Sequence, residues 1–280
     1  MTEIRKQQTI SNINDYIFKT EYMDAYVINL KNAPHRREYV RNVLKHIASI
    51  QINWIEAIDG RILSMNQTKT MFDLNSFRNH YMRLPRAGEI GCTLSHQDCY
   101  QKLIKSNNKS VIILEDDIVL NSDITQLIPK IETFLDSNEP RLILLSGWFW
   151  FNKKLKFTEK INICKVFDGY LTHAYALNRE AAKLMICEKP HYLADAWELY
   201  IKKGVQIYGL SPHPIDQDWS GVFKSDVLSE KVSNSTFNLS RWVDFKIRGL
   251  KQRIFKALKK FEAPQNLANR IGDIKDHMDE

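Results

Sequence analysis

Ala25-Tyr-Val-Ile-Asn-Leu30, Arg36-Arg-Glu-Tyr-Val-Arg-Asn-Val-Leu-Lys-His-Ile47 and Ile52-Asn-Trp-Ile55 decide the fold class. The first is a compact run of strand formers, ended by Lys31-Asn-Ala-Pro34. In the second, Tyr39, Val40, Val43, Leu44 and Ile47 recur at helical spacing and share one face. Pro34 stands just before it, where helix starts tolerate proline. The third reads as another strand and ends at Asp59-Gly60. A strand, a crossover helix and a strand predict a parallel sheet covered by helices.

Working outward, Gly88-Glu-Ile-Gly91 opens a helix that runs to about Ser106, where Asn107-Asn108 breaks it. Ser110–Leu114 reads as a buried strand, residues 141–146 as another, and His173–Leu177 as a third, followed by a helix from Arg179 to Cys187. Val205–Leu210 is the last clear strand. Residues 61–87 are polar and irregular, which suits either a loop over a site or a plain insertion. The expected architecture is α/β: one domain over residues 23–235, with a mostly parallel central sheet flanked by helices. A loose arm (1–22) precedes it and a basic helical segment with a polar tail (236–280) follows.

Hydrophobic residues make up 44% of the chain and charged residues 26%, the balance of a folded soluble domain. No apolar run is long enough for a signal peptide or a membrane span. The four cysteines form no C-x-x-C pair and read as reduced, mostly buried thiols. These features lead to an expected cytoplasmic location. The net charge of +7 is concentrated: residues 241–260 hold eight Lys/Arg and one acid, leaving 32 of each sign elsewhere. A near-neutral body needs no nucleic-acid partner.

Glu115-Asp116-Asp117 follow the strand at 110–114 directly. Three like charges beside an apolar strand repel one another in poor solvent, and a bound cation removes that cost. Ligands of open α/β sheets collect at the carboxyl ends of strands. Hard oxygen ligands suit Mg²⁺ or Mn²⁺. Glu115 and Asp117 are two apart, so an extended backbone aims them the same way. The acids alone fit a solvated turn capping the next helix equally well.

An ordered set of motifs adds to this. Val27-Ile-Asn-Leu30 with Arg36-Arg37 comes first, then Ala57-Ile-Asp-Gly60, Gly88-Glu-Ile-Gly-Cys-Thr-Leu-Ser-His96 and Leu114-Glu-Asp-Asp117. Thr172-His-Ala-Tyr-Ala-Leu-Asn-Arg-Glu-Ala-Ala182 and Ala194-Asp195 complete it. The set resembles glycosyltransferase family 25, the lipooligosaccharide-type β-galactosyltransferases, over roughly residues 24–230. The resemblance implies a GT-A-type fold, a UDP-hexose donor (galactose first, glucose second), Mn²⁺ or Mg²⁺, and inversion at the anomeric carbon. It also implies a lipid-linked lipopolysaccharide-type acceptor, met at the inner face of the cytoplasmic membrane. By the same match Asp117 contacts the metal, and Glu115 holds it through water or lies near the ribose. His213 is the candidate third ligand. Asn29, Leu30, Arg36, Arg37, Asp59, Gly60, Glu89, Ser95, His96 and Asp116 are expected around the donor.

Inverting transfer needs a base within reach of the acceptor hydroxyl. Asp195 is the first candidate and Glu198, one helical turn on, the second. The two could instead form a capping box at a helix start. His173 and Tyr175 share a strand face and either line the sugar pocket or belong to the core. Trp148-Phe-Trp-Phe151 offers aromatic faces to a sugar, or core.

From Arg241, Val243, Ile247, Leu250, Ile254, Leu258 and Phe261 recur at helical spacing among basic residues. Such a helix suits an anionic membrane surface, with residues 241–261 as the contact. Docking on the body or RNA binding are the other readings. Two whole-chain alternatives remain at this point: a metal-dependent phosphohydrolase, or a non-catalytic module binding membrane or RNA.

Overall fold

The computed structural model describes residues 22–218 and 239–263. The N-terminal arm and the tail after Pro264 lie outside them. A central sheet of nine strands carries helices on both faces.

The expected opening is present. β1 (Met23–Asn29), α1 (Pro34–Leu44) and β2 (Ile50–Glu56) form a β-α-β unit, with Ala25 level with Ile52. Pro34 lies in the first turn of α1, where its missing N–H costs nothing. β3 (Ser110–Leu114) lies on the other side of β1 and is buried throughout. Alternate residues of β1 feed different cores. Ala25 and Val27 pack with Val40 and Leu44 on one face, while Tyr26 and Ile28 pack with Tyr100 and Leu103 on the other.

The remaining strands are β4 (Ile118–Leu120), β5 (Arg141–Leu144), β6 (Trp148–Lys156), β7 (Asn162–Tyr170), β8 (Ala174–Asn178), β9 (Gln206–Ser211), β10 (Ile215–Gln217) and β11 (Phe261–Glu262). The large sheet runs β11-β6-β7-β9-β5-β8-β3-β1-β2, and β4 pairs with β10 in a small second sheet. Parallel pairing joins β1 to β2, β1 to β3, and β5 to β9. The other five pairings of the large sheet are antiparallel: β8 runs against both β3 and β5, β6 and β7 form a hairpin, and β7 runs against β9 and β11 against β6. The antiparallel share exceeds what the β-α-β opening predicts.

Residues 61–87 differ from the loop reading. They contain α2 (Met65–Met71) and α3 (Leu74–Tyr81). Ser64 and Gln67 make a capping box for α2, and the Asp73 carboxylate accepts from Asn75 and Ser76 to start α3. Phe72 and Phe77 close over Ile90 and Leu94 of α4 (Ala87–Lys105), which gives the segment its own small core. α5 (Ile128–Leu135), α6 (Arg179–Met185), α7 (Trp197–Lys202) and α8 (Leu239–Ala257) complete the α-helices of the described residues, and Gly60–Ile62 form one 3-10 turn. None is long and apolar enough to cross a membrane.

The start of α4 is pressed against the turn after β2. A Cβ on Gly60 would sit 1.8 Å from the Ala87 carbonyl oxygen, and one on Gly91 would sit 2.3 Å from the Ile58 carbonyl oxygen. Both obstacles are backbone, which cannot turn aside. Gly91→Ala is therefore expected to destabilise the fold by about 1–3 kcal/mol or more. A denaturant midpoint within error of wild type would show that the two segments are not in contact.

Candidate active site

The acidic triplet leaves the end of β3 as a tight turn, at the floor of a cleft with about 770 Å³ of space including its open mouth. Asn29, Leu30, Arg36, Asp59, Gly60, Ser95, His96, Glu115, Asp116 and Asp117 all line it. Arg37, Glu89, Asp195, Glu198 and His213 are not among its lining residues.

The three acids have separate partners. Asp116 is fully used: Asn29 Nδ2 donates to one oxygen at 2.6 Å, and Arg36 Nη1 to the other at 2.7 Å. Arg37 Nε in turn donates to Asn29 Oδ1 at 2.6 Å, and its guanidinium lies over Trp54. The Arg36-Arg37 pair thus fixes the β1 terminus and Asp116. Glu115 accepts from the Thr172 hydroxyl at 2.5 Å and lies 3.5 Å from His96 Nε2. Burial pushes the Glu115 carboxyl up, but His96, Thr172 and His173 outweigh it and hold it below the ordinary glutamate value. Asp117 accepts from Gln217 Nε2 at 2.8 Å through one oxygen, while its other oxygen is buried without a partner. Burial first, and the Glu115 charge second, push Asp117 up to about 7. A buried carboxylate oxygen with nothing to bind is costly. It fits a hard divalent cation.

His96 is held by Tyr175, whose hydroxyl lies 2.7 Å from Nδ1. With Cys92 and Glu115 it forms a group whose ligand atoms lie within 4.8 Å of one another. Burial keeps the Cys92 thiol well above its usual pKa, so it enters this group as a neutral thiol. Ser95 accepts from the Ile58 amide at 2.8 Å and donates to the Gly91 carbonyl at 2.7 Å, latching the Ala57–Gly60 turn to α4. Asp59 pairs with Arg61 and caps the short turn after it. Glu89 binds Arg83 through both oxygens and the Arg86 amide, which makes it the start-cap of α4 rather than a cleft wall.

His213 is buried away from the triplet. Its ring lies 5.5 Å from that of Phe149, neither ring nitrogen has a partner, and burial pushes its pKa down to about 4. The late segment does return to the acids, but through Gln217 at the end of β10 and Asp218 just after it. Gln217 binds the Asp117 side chain, and the Asp218 amide donates to the Asp117 carbonyl at 2.7 Å.

Asp195 does not cap a helix. The N-cap of α7 is Ala196, with no side-chain cap bond, and Asp195 Oδ2 accepts from the Leu171 amide at 3.0 Å. Burial raises its pKa above the ordinary aspartate range, against the lowering effect of that amide. Leu171 adopts φ 75°, unusual for a bulky residue, with Trp197 Nε1 donating to its carbonyl at 3.1 Å. Neighbouring Thr172 holds Glu115, so one distorted dipeptide joins the candidate base to the acidic turn. Glu198 accepts from Arg248 Nη1 at 3.1 Å. His173 Nε2 lies 2.6 Å from Ser146 Oγ, and Tyr175, Phe149 and Phe151 are core. Cys92, Thr172, Gln217, Leu171 and Arg248 are the participants that sequence reasoning missed. Of these, Cys92 and Thr172 stood inside quoted motifs.

The family model described as Glycosyltransferase family 25 (LPS biosynthesis protein) matches residues 23–193. Procollagen galactosyltransferase 2 of Mus musculus is 25% identical over 193 residues, covering 65% of this chain and 30% of that protein. A glycosyltransferase 25 family member of Drosophila pseudoobscura pseudoobscura is 34% identical over 175 residues, covering 59% of this chain and 27% of that one. The chain thus spans less than a third of the length of these relatives. The galactosyltransferase LgtC, solved with donor and acceptor sugar analogues, aligns over 66% of this chain and 73% of its own, with 10% identity and a TM-score of 0.32. With the family model matching well over half of its residues, the chain belongs to glycosyltransferase family 25.

Proposed function

We propose that the protein is a metal-dependent inverting hexosyltransferase that moves a hexose, galactose first, from a UDP-sugar to a lipid-linked lipopolysaccharide-type oligosaccharide. The observation that carries this is the buried, unpartnered oxygen of Asp117, two residues from Glu115, in a cleft that both acids line together with Asn29, Arg36, Asp59 and His96. The galactosyl transfer named for the mouse relative supports the choice of sugar, and the family description supports the acceptor class.

Glu115 and Asp117 would hold Mn²⁺ or Mg²⁺, which when bound neutralises charge on a diphosphate leaving group. The chain's own residues do the rest. The Asn29–Leu30 and Ala57–Gly60 segments wall the cleft for the nucleotide. Asp195 takes the proton from the acceptor hydroxyl while the acceptor oxygen bonds to the anomeric carbon and the bond from that carbon to the UDP oxygen breaks. UDP departs with that electron pair. The raised pKa of Asp195 suits a base, since a more basic carboxylate takes a proton more readily.

The test is a thermal-shift screen of UDP-Gal, UDP-Glc and UDP-GlcNAc with Mn²⁺, followed by UDP release with a truncated lipooligosaccharide. Metal-dependent stabilisation by a UDP-hexose and acceptor-dependent release are expected. Phosphate or nucleotide release that ignores the acceptor would move the assignment to a phosphohydrolase.

A further inference from the structure

α8 has two differently used faces. Arg248, Gln252 and Phe255, spaced by four and three residues, face the body. Arg248 donates to Asp168 through Nε at 2.8 Å and Nη2 at 2.5 Å, and to Glu198 at 3.1 Å. Gln252 donates to Asp168 at 2.8 Å, and the Phe255 ring meets Phe167 edge-on with centroids 4.5 Å apart. The helix is therefore clamped to β7, through Phe167 and Asp168, and to Glu198 of α7.

A second stripe, Val243, Ile247, Leu250, Ile254 and Leu258, is exposed by 40%, 62%, 62%, 49% and 60%. Among the described residues nothing covers it. Isolated exposed apolar residues are ordinary, but five at helical spacing form a continuous face. By the helical turn, Lys246 and Arg253 flank the stripe on one side and Lys251 on the other, and all three are exposed. Asp244 is the one acid in α8.

We infer that this outer stripe docks α8 in the interface of an anionic lipid membrane. The flanking charges select the occupant. A second copy of the chain meeting the stripe would set cations against cations, whereas anionic headgroups complement both flanks while the apolar residues enter the acyl boundary. RNA would meet the cations but would leave the apolar stripe in water. Because the inner face is locked to Asp168 and Glu198, docking also fixes the body's orientation relative to the membrane. The inference concerns the helix surface and does not depend on the donor assignment.

The test uses the full chain and a double variant, Ile247→Glu with Ile254→Glu, in flotation with phosphatidylcholine vesicles containing about one-third phosphatidylglycerol. Wild type is expected to float with the anionic vesicles, less so in high salt and far less with pure phosphatidylcholine. The variant should lose vesicle binding by about tenfold or more. Its cooperative melt and its UDP release on a soluble acceptor should match wild type, which separates this surface from the chemistry. Equal flotation of variant and wild type would overturn the inference, as would absence of wild-type binding. A wild-type dimer dissolved by the variant would assign the stripe to self-association and overturn it too.

Discussion

Asp117→Asn is expected to lower metal-dependent UDP release by on the order of 10³-fold, while the protein keeps its fold. The side chain keeps its shape and loses the charge that a cation needs. The same substitution should act in the opposite direction on metal-free stability. Burial and Glu115 raise the folded-state pKa of Asp117 to about 7, above the unfolded aspartate value of 3.8. A raised carboxyl pKa gives stability that is present below the unfolded value and lost as pH climbs through the folded one. Metal-free wild type should thus lose stability between about pH 4 and 7, and Asp117→Asn should flatten that slope and melt higher at about pH 8. Mn²⁺ at about a hundred times its dissociation constant should then add about 2.7 kcal/mol to wild type and little to the variant. Retained turnover, or identical metal-induced stabilisation in both proteins, would remove Asp117 from the metal site.

Asp195→Asn is expected to reduce kcat by about 10²–10⁴-fold with little effect on the binding of UDP and Mn²⁺. The reason is that Asp195 is not one of the proposed cation ligands and does not line the cleft beside Glu115 and Asp117; its carboxylate accepts from the Leu171 amide instead. The acidic limb of the wild-type rate profile should lie above the ordinary aspartate range, because burial raises this carboxyl, and should vanish in the variant. Glu198→Gln should cost less, because Arg248 already engages that carboxylate. Full loss in Glu198→Gln with near-normal Asp195→Asn would reverse the two roles.

The elements with a clean period were legible. β1, α1 and β2 announce themselves through strand formers and a one-sided helix, and β3 runs into the acids as its apolar composition suggests. α2 and α3 escaped notice because their surfaces are polar. Ser64 with Gln67, and Asp73 before Asn75-Ser76, were the available signals. The β6–β7 hairpin was hidden by its outer half, Asn152–Lys156, which is exposed and carries three lysines. The direction of β8 has no local signature, since it depends on which neighbours accept its edges. In the cleft, the motif residues converge because Gly60, Gly91 and Ser95 bind one turn to one helix. Leu171's backbone and Arg248's choice of partners depend on tertiary placement that no short window encodes.

β11 pairs with β6 along Phe149 and Trp150, at the outer edge of the large sheet. It follows α8 closely, so cutting the chain before α8 would strip away the covering strand along with the helix. An uncovered strand with aromatic side chains is a template for sticking to other copies. A shortened protein that clumps would then imitate a lipid-binding defect, which is why point changes on the outer stripe are the cleaner probe.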